Sequence, residues 1–544
     1  MQTLDSYDQV PYGGHAIPDT HPNYLATLAG MLGIAAAPPQ RCRVLELGAA
    51  AGDNLIPMAF QLPDSDFVGV ELGARQAQRG QALIAALGLT NVVLLHQDIL
   101  SLDETLGRFD YILAHGVYSW VPDPVKEQIL SLCGRLLTPN GVAYVSYNVL
   151  PGWHQRGMLR DMLLHQTSGA ATPAERLDLA YGFLELLAAG MDQDQRPLVQ
   201  SLREELEYLR EARPAYLYHE YLEATNAPET FSTFLGRAER HGLRYLADTQ
   251  LHTMFASTLA PAAQAVVGLC KDQTEQEQLM DFLTLRPFRR SLLIRSGLEP
   301  NLEIDLQHLH AYGLYADLTP TDGADLSRPL PEPYASTAGD DFVVEHPLPK
   351  AVLHQLAASY PNALPLAAVL DAARTLVEDA GGAGHATEIG ACQGELFSLY
   401  ASQGLGLTLN PATWSGHLSE RPRASALARA RAAAGETQVA TARHRNLDLD
   451  RVSALLLSLL DGRHDRAALE AALFGALQAD PGFRRPWHRA QAPPLDYRVR
   501  SRPTANACSG SLPATGCWRP DPGVTLSLGS AVEWTSDTCR SGSS

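Results

Sequence analysis

From residue 43 onward, short and mostly apolar runs alternate with longer stretches that are apolar only every third or fourth position. The short runs, 43–47, 66–70, 92–96, 109–114 and 141–147, predict strands. The stretches 54–61, 75–87 and 125–137 carry helical spacing. Strands of continuous apolar character need cover on both faces, and the intervening helices supply it. The pattern therefore predicts an α/β domain over residues 1–155, a Rossmann-like doubly wound parallel sheet.

The period then changes. Residues 156–320 read as mainly helical, with helices expected near 177–190, 198–209, 216–223 and 231–241. Residues 321–345 are rich in Pro, Asp, Gly and Ser and read as a linker. Residues 346–484 are helix-rich again, with Ala and Leu runs that favour helix. Over 485–544 the periodicity stops, and a disordered or aberrant tail with no assigned function is expected.

Composition bounds the function. A chain of 544 residues, 45% hydrophobic and 19% charged, fits a soluble globular protein of several domains. A net charge of −18 argues against a nucleic-acid partner, which would need Lys and Arg to neutralise phosphates, and favours a cationic substrate. No apolar stretch is long enough for a membrane span, and residues 1–10 lack signal-peptide character, so a cytoplasmic location is expected. Cys42, Cys133, Cys270 and Cys392 stand singly in apolar stretches and read as buried, reduced thiols, while Cys508, Cys517 and Cys539 lie in the tail. No paired-cysteine spacing appears, so no metal site is expected. His219-Glu220-Tyr221-Leu222-Glu223 lacks the second His of a zinc-protease helix, and Arg289-Arg290 and Arg443-His444-Arg445 read as solvated basic faces.

The candidate chemistry sits in Glu46-Leu47-Gly48-Ala49-Ala50-Ala51-Gly52-Asp53-Asn54, between a strand and a helix. Gly48 allows a sharp turn off the strand, and Gly52 allows close approach of backbone to ligand. Glu71 ends the second strand, where a carboxylate can bind ribose hydroxyls, and Asp98 with Ile99 follows the third, where it can accept from an adenine amine. All lie at strand carboxyl ends, which points to a nucleoside-type ligand. The dinucleotide pattern Gly-x-Gly-x-x-Gly fails at Ala50 and Asp53, and Asp53 would repel a pyrophosphate.

The pattern Glu46-x-Gly48-x-x-x-Gly52 resembles motif I of class I methyltransferases, with Ala50 where that motif often has glycine. The segments Thr20-His21-Pro22, 44–57, 115–122, 146–153, Tyr218-His219-Glu220, Asn226-Ala227-Pro228, 241–246 and 281–293 look like bacterial methyltransferases that carry a methyltransferase regulatory domain. These include rickettsial-type protein-lysine methyltransferases. Arg421-Pro422-Arg423-Ala424 and Leu459-Leu460-Asp461-Gly462 resemble that family's winged-helix-like C-terminal part. The resemblance implies S-adenosyl-L-methionine as cofactor, held by Glu46, Gly48, Ala50, Gly52, Asn54, Glu71, Leu72, Asp98, Ile99 and His115.

The segment His115-Gly116-Val117-Tyr118-Ser119-Trp120 is expected to face the transferring methyl. His115 could move a proton or shape the cofactor pocket. Tyr118, Trp120 and Tyr147 could cage an ammonium, and Asn148 could orient an amine. The expected activity is methyl transfer to an amine such as a protein lysine. A small-molecule acceptor, or a non-catalytic scaffold that binds the cofactor, is the alternative.

Overall fold

The computed structural model describes residues 10, 13–337, 339–382, 388–410, 414 and 419–479. The expected tail at 485–544, with Cys508, Cys517 and Cys539, lies outside the described residues. Five strands, β1 (Arg43–Leu47), β2 (Asp66–Glu71), β3 (Val92–His96), β4 (Phe109–Ala114) and β5 (Leu137–Asn148), run parallel as the pattern predicts. β1, β4 and β5 from Gly141 onward are almost wholly buried, which explains their unbroken apolar runs. Two further strands come from the segment expected to be helical, β6 (Leu243–Asp248) and β7 (Phe288–Arg295). Both pair antiparallel, β7 on β5 and β6 on β7, giving the order β3-β2-β1-β4-β5-β7-β6.

The sheet carries different layers on its two faces. Tyr111, Leu113, Tyr144, Leu292 and Ile294 share one apolar core with Leu353, Leu370 and Leu396 of the helices Pro347–Ser359, Leu366–Asp379 and Glu388–Ala401. Ile112, Val145, Tyr147 and Leu293 face a second core, with Ile129 and Leu132 of the helix Asp123–Leu136 and Phe234 of the helix Phe231–Arg240. Each fully buried Leu or Phe contributes about 1.5–3 kcal/mol.

Helices Trp153–Gln166, Pro173–Met191 and Pro197–Glu211 close on a separate core that includes Leu159, Leu184, Leu206 and Tyr221. The segment expected as a linker is structured in part: Glu332–Ala335 pairs antiparallel with Asp341–Val344 and with Thr319–Pro320. At the C-terminal end the helix Ala426–Ala433, the hairpin Gln438–Ala440/Asn446–Asp448 and the helices Arg451–Leu459 and Arg466–Ala479 form a winged helix. Its core includes Ala428, Val439, Leu449 and Leu457. Cys42, Cys133 and Cys392 are buried, and Cys270 is only half-buried. Among the described residues, no helix is long and apolar enough to cross a membrane.

Candidate active site

The turn after β1 is built on left-handed backbone at Gly48, Ala50 and Gly52, with φ of 74°, 47° and 74°. A Cβ on Gly48 would lie 2.4 Å from the Val117 side chain, so only glycine lets the end of β1 pass beneath the loop that follows β4. The amides of Gly48 and Ala49 both donate to the Val70 carbonyl, at 2.9 and 3.0 Å, which ties the turn to β2.

Glu46 lies under this turn and is buried. Asn54 Nδ2 donates to its Oε1 at 2.8 Å, and Oε2 has no partner among the described residues. Burial pushes this carboxyl up to about 8; the Asn54 amide opposes the rise, and the charges of Asp53 and Glu71 add to it. An unpaired, buried carboxylate oxygen invites a cation from the ligand. Asn54 is itself a hub. Its Oδ1 accepts from the Ile17 amide at 2.8 Å, and its Nδ2 also donates to Thr20 Oγ1 at 2.9 Å.

At the end of β2, Glu71 accepts from the amides of Ala50 and Gly73 at 2.8 and 2.7 Å. Burial raises its pKa, and those backbone donors partly offset the rise. Glu71 therefore holds the loop while its remaining lone pairs face outward. Asp98 is exposed and accepts from the Leu100 amide at 2.9 Å. Leu72 is exposed beside them, and Ile99 is half-buried. A flat apolar contact next to two carboxylates is thus set at the ends of β2 and β3.

His115 ends β4. Its Nδ1 lies 2.8 Å from the Tyr144 hydroxyl, with the rings stacked at 5.8 Å. Burial drives its pKa well below the ordinary value, and Arg290 and His15 lower it further, so the imidazole is neutral at pH 7. Beside it Arg290 pairs with Asp19 at 2.8 Å, and Asp19 also accepts from Thr249 Oγ1 at 2.9 Å. His115, Arg290, Asp19, His15, Tyr24 and Tyr400 line one side of a cavity of about 1240 Å³.

The aromatic cage does not form as expected. Side chains alternate along a strand, so Tyr144 and Ser146 face the cavity side while Tyr147 points to the opposite core. Tyr147 stacks on Phe234 at 4.0 Å, and its hydroxyl meets Ser291 Oγ at 3.2 Å. Tyr118 is fully buried edge-on to Phe234, with the Lys126 ammonium 5.1 Å from its ring centroid. Trp120 is half-buried and edge-on to Trp153 at 6.2 Å. Asn148 is buried, and its Nδ2 donates to Asn226 Oδ1 at 3.2 Å. The two basic clusters are not solvated faces either. Arg289, Arg290 and His444 are buried, and the Arg443 guanidinium lies 3.7 Å from the Tyr315 ring centroid and 4.6 Å from that of Trp414. Tyr144 and Asp19 carried no local signal and Arg290 read as a solvated charge, because β7 and the segment before residue 20 reach the site only through tertiary folding.

A glycine-turned loop over a buried acid, at the reversal of strand order, has the layout of a class I S-adenosylmethionine-dependent methyltransferase, and residues 45–143 match the methyltransferase domain family. Residues 213–295 match the predicted methyltransferase regulatory domain, and 420–481 match the PKMT C-terminal winged helix domain. The chain is 30% identical over 488 residues to the uncharacterized protein RP789 of Rickettsia prowazekii, covering 87% of this chain and 86% of that one. It is 34% identical over 241 residues to RP028 of the same organism, covering 44% of this chain and 96% of that one. The structure of PKMT2 from Rickettsia typhi in complex with AdoHcy superposes with a TM-score of 0.76 at 26% identity, covering 86% of this chain and 92% of that one. The chain belongs to this family of S-adenosylmethionine-dependent methyltransferases with a regulatory domain and a PKMT-type winged helix.

Proposed function

We propose that this enzyme methylates an amine, the side chain of a lysine in a protein, and that the residues around Glu46 and His115 carry the reaction. The observation that carries the reading is the cavity of about 1240 Å³ beside His115. It exceeds the roughly 300–1,000 Å³ of pockets that enclose small ligands, and suits a segment of a larger chain. The likeness to PKMT2, a name that denotes protein-lysine methyltransferase, supports the same class of acceptor.

S-adenosylmethionine, when bound, supplies a methyl on a sulfonium that an amine displaces in line. Glu46 would pair with its ammonium, Gly48, Ala50, Gly52 and Asn54 would shape the loop around its methionine end, and Glu71, Leu72, Asp98 and Ile99 would receive its nucleoside. The protein's work on the acceptor is to align the amine and keep it unprotonated. Burial disfavours an ammonium. In the tautomer that donates Nδ1–H to the Tyr144 hydroxyl, His115 Nε2 is an acceptor that can hold the amine. Asp19 cancels the charge of Arg290, so the approaching side chain is not repelled.

The test is incubation of the full chain with methyl-labelled cofactor and bacterial lysate, followed by hydrolysis of the labelled protein. Label recovered as N-methyllysine is expected. Label confined to small molecules would sink the proposed acceptor while leaving the cofactor in place.

A further inference from the structure

The winged helix does not sit apart from the cofactor loop. Arg431, on the helix Ala426–Ala433, reaches Asp53 at 2.7 Å, and both side chains are only 4% exposed. Glu436 braces that guanidinium at 3.0 Å and also binds Arg79 at 3.1 Å. His444, in the turn between Gln438–Ala440 and Asn446–Asp448, is buried, and its Nε2 lies 2.8 Å from Asn54 Oδ1. Asn54 Oδ1 is an acceptor, so His444 Nε2 carries the proton and donates. The next residue but one, Asn446, holds the N-terminal segment with a reciprocal pair of bonds to Ala16, at 2.9 and 2.8 Å.

His444 keeps this aim at a cost. Its φ of 53° lies in the left-handed region, which a residue with a Cβ occupies only where its surroundings impose it. The turn is pinned by His444 N–H to the Thr441 carbonyl at 2.9 Å and Thr441 N–H to the Arg445 carbonyl at 2.7 Å. Continuous hydrogen bonds therefore run from His444 through Asn54 to Glu46 Oε1. The ion pair acts on the other loop residue. Asp53 alone would place a buried negative charge next to the loop that receives the cofactor's carboxylate; Arg431 at 2.7 Å, helped by Arg79 at 3.7 Å, neutralises it.

We infer that the winged helix is a working part of the cofactor site, with His444 and Arg431 as positioning residues that set Asn54 and Asp53 for S-adenosylmethionine. This rests on the loop 48–54 being the cofactor site, as proposed above. By linkage, a cofactor that needs the docked winged helix must tighten that docking when it binds.

The test uses the full chain and S-adenosylhomocysteine, and needs no acceptor. Titration calorimetry gives Kd for wild type, His444→Ala, His444→Gln and Arg431→Met. Kd is expected to rise about tenfold or more in His444→Ala and Arg431→Met, and to return toward wild type in His444→Gln, whose amide can donate to Asn54. Hydrogen exchange on the wild type reads the reverse direction: adding S-adenosylhomocysteine should slow exchange of the amides of residues 438–448. A folded His444→Ala with unchanged Kd, or no slowing at 438–448 on saturation, overturns the inference. If the wild type itself binds no S-adenosylhomocysteine, the cofactor assignment fails instead. If the alanine variant does not fold, the exchange result decides.

Discussion

Glu46 combines burial with one oxygen that has no partner among the described residues, so its charge state bears on what the loop can bind. Its carboxyl sits at about 8 in the folded protein against 4.5 as a model acid. The folded state therefore holds the extra proton, and this residue's contribution to stability is fully present below pH 4.5 and is lost as pH rises through about 8. Pairing with a ligand ammonium requires the ionised form. Affinity for S-adenosylhomocysteine should thus increase from pH 6.5 to 8.5, and Glu46→Gln should weaken binding at pH 8.5 by roughly 10- to 100-fold and flatten the profile. Calorimetry across that range checks both; an unchanged affinity in the variant would remove Glu46 from the site. His115 and Tyr147 separate a cavity residue from a core residue. His115→Ala should cut turnover more than cofactor affinity. Tyr147→Phe removes a hydrogen bond to Ser291 that is worth about 1 kcal/mol and should leave turnover near wild type. Steady-state kinetics with a methyl acceptor would reveal a lost cage residue as a fall in kcat for Tyr147→Phe.

At the scale of elements, the added pair β6 and β7 is what gives the site its far wall. β7 brings Arg290 to the cavity face and Arg289 to the opposite side, where it meets Asp281 and Glu277 at 2.8 Å each and lies 4.2 Å from the Phe231 ring centroid. Removing one member of a buried pair costs about 3–5 kcal/mol, because the partners stay buried without compensation. Arg289→Met should therefore shift the urea midpoint sharply downward. A loss of stability under about 1 kcal/mol would mean that Arg286, already 3.2 Å from Asp281, takes over the pairing. These strands also mark the limit of legibility. β1, β2 and β4 were readable because each is an apolar run followed by a helix of clear period, while β3 and β5 stood out by their apolar runs alone. β7 carries two adjacent arginines, which in isolation look like solvent-facing charge, but Arg289 pairs with Glu277 and Asp281 of the helix Gln273–Thr284 and Arg290 with Asp19. The loop 48–54, Glu71 and Asp98 were likewise legible, since strand ends and glycines leave local marks. Asp19, Tyr144 and Arg290 were not, since their common ground is a cavity rather than a motif.

For the whole molecule, charge and cavity act together. The chain carries −18, and the proposed acceptor is a cation on a macromolecule. A long-range attraction between them raises the rate of encounter and is screened by salt, with a Debye length of about 10 Å at 0.1 M. Hence kcat/KM for a lysine-rich protein acceptor should fall several-fold between 20 and 300 mM salt (on the order of one to two Debye-length halvings) while kcat stays level. A flat response would speak for an uncharged or small acceptor.

The bond between Ala16 and Asn446 spans 430 positions of sequence. A ribosome adding about 5–20 residues per second needs roughly 20–90 s to make the second partner after the first. For that interval the segment ahead of the sheet waits without the group that will fasten it. Newly made chains therefore hold the loop 48–54 without its winged-helix contacts until the residues around 446 have been made.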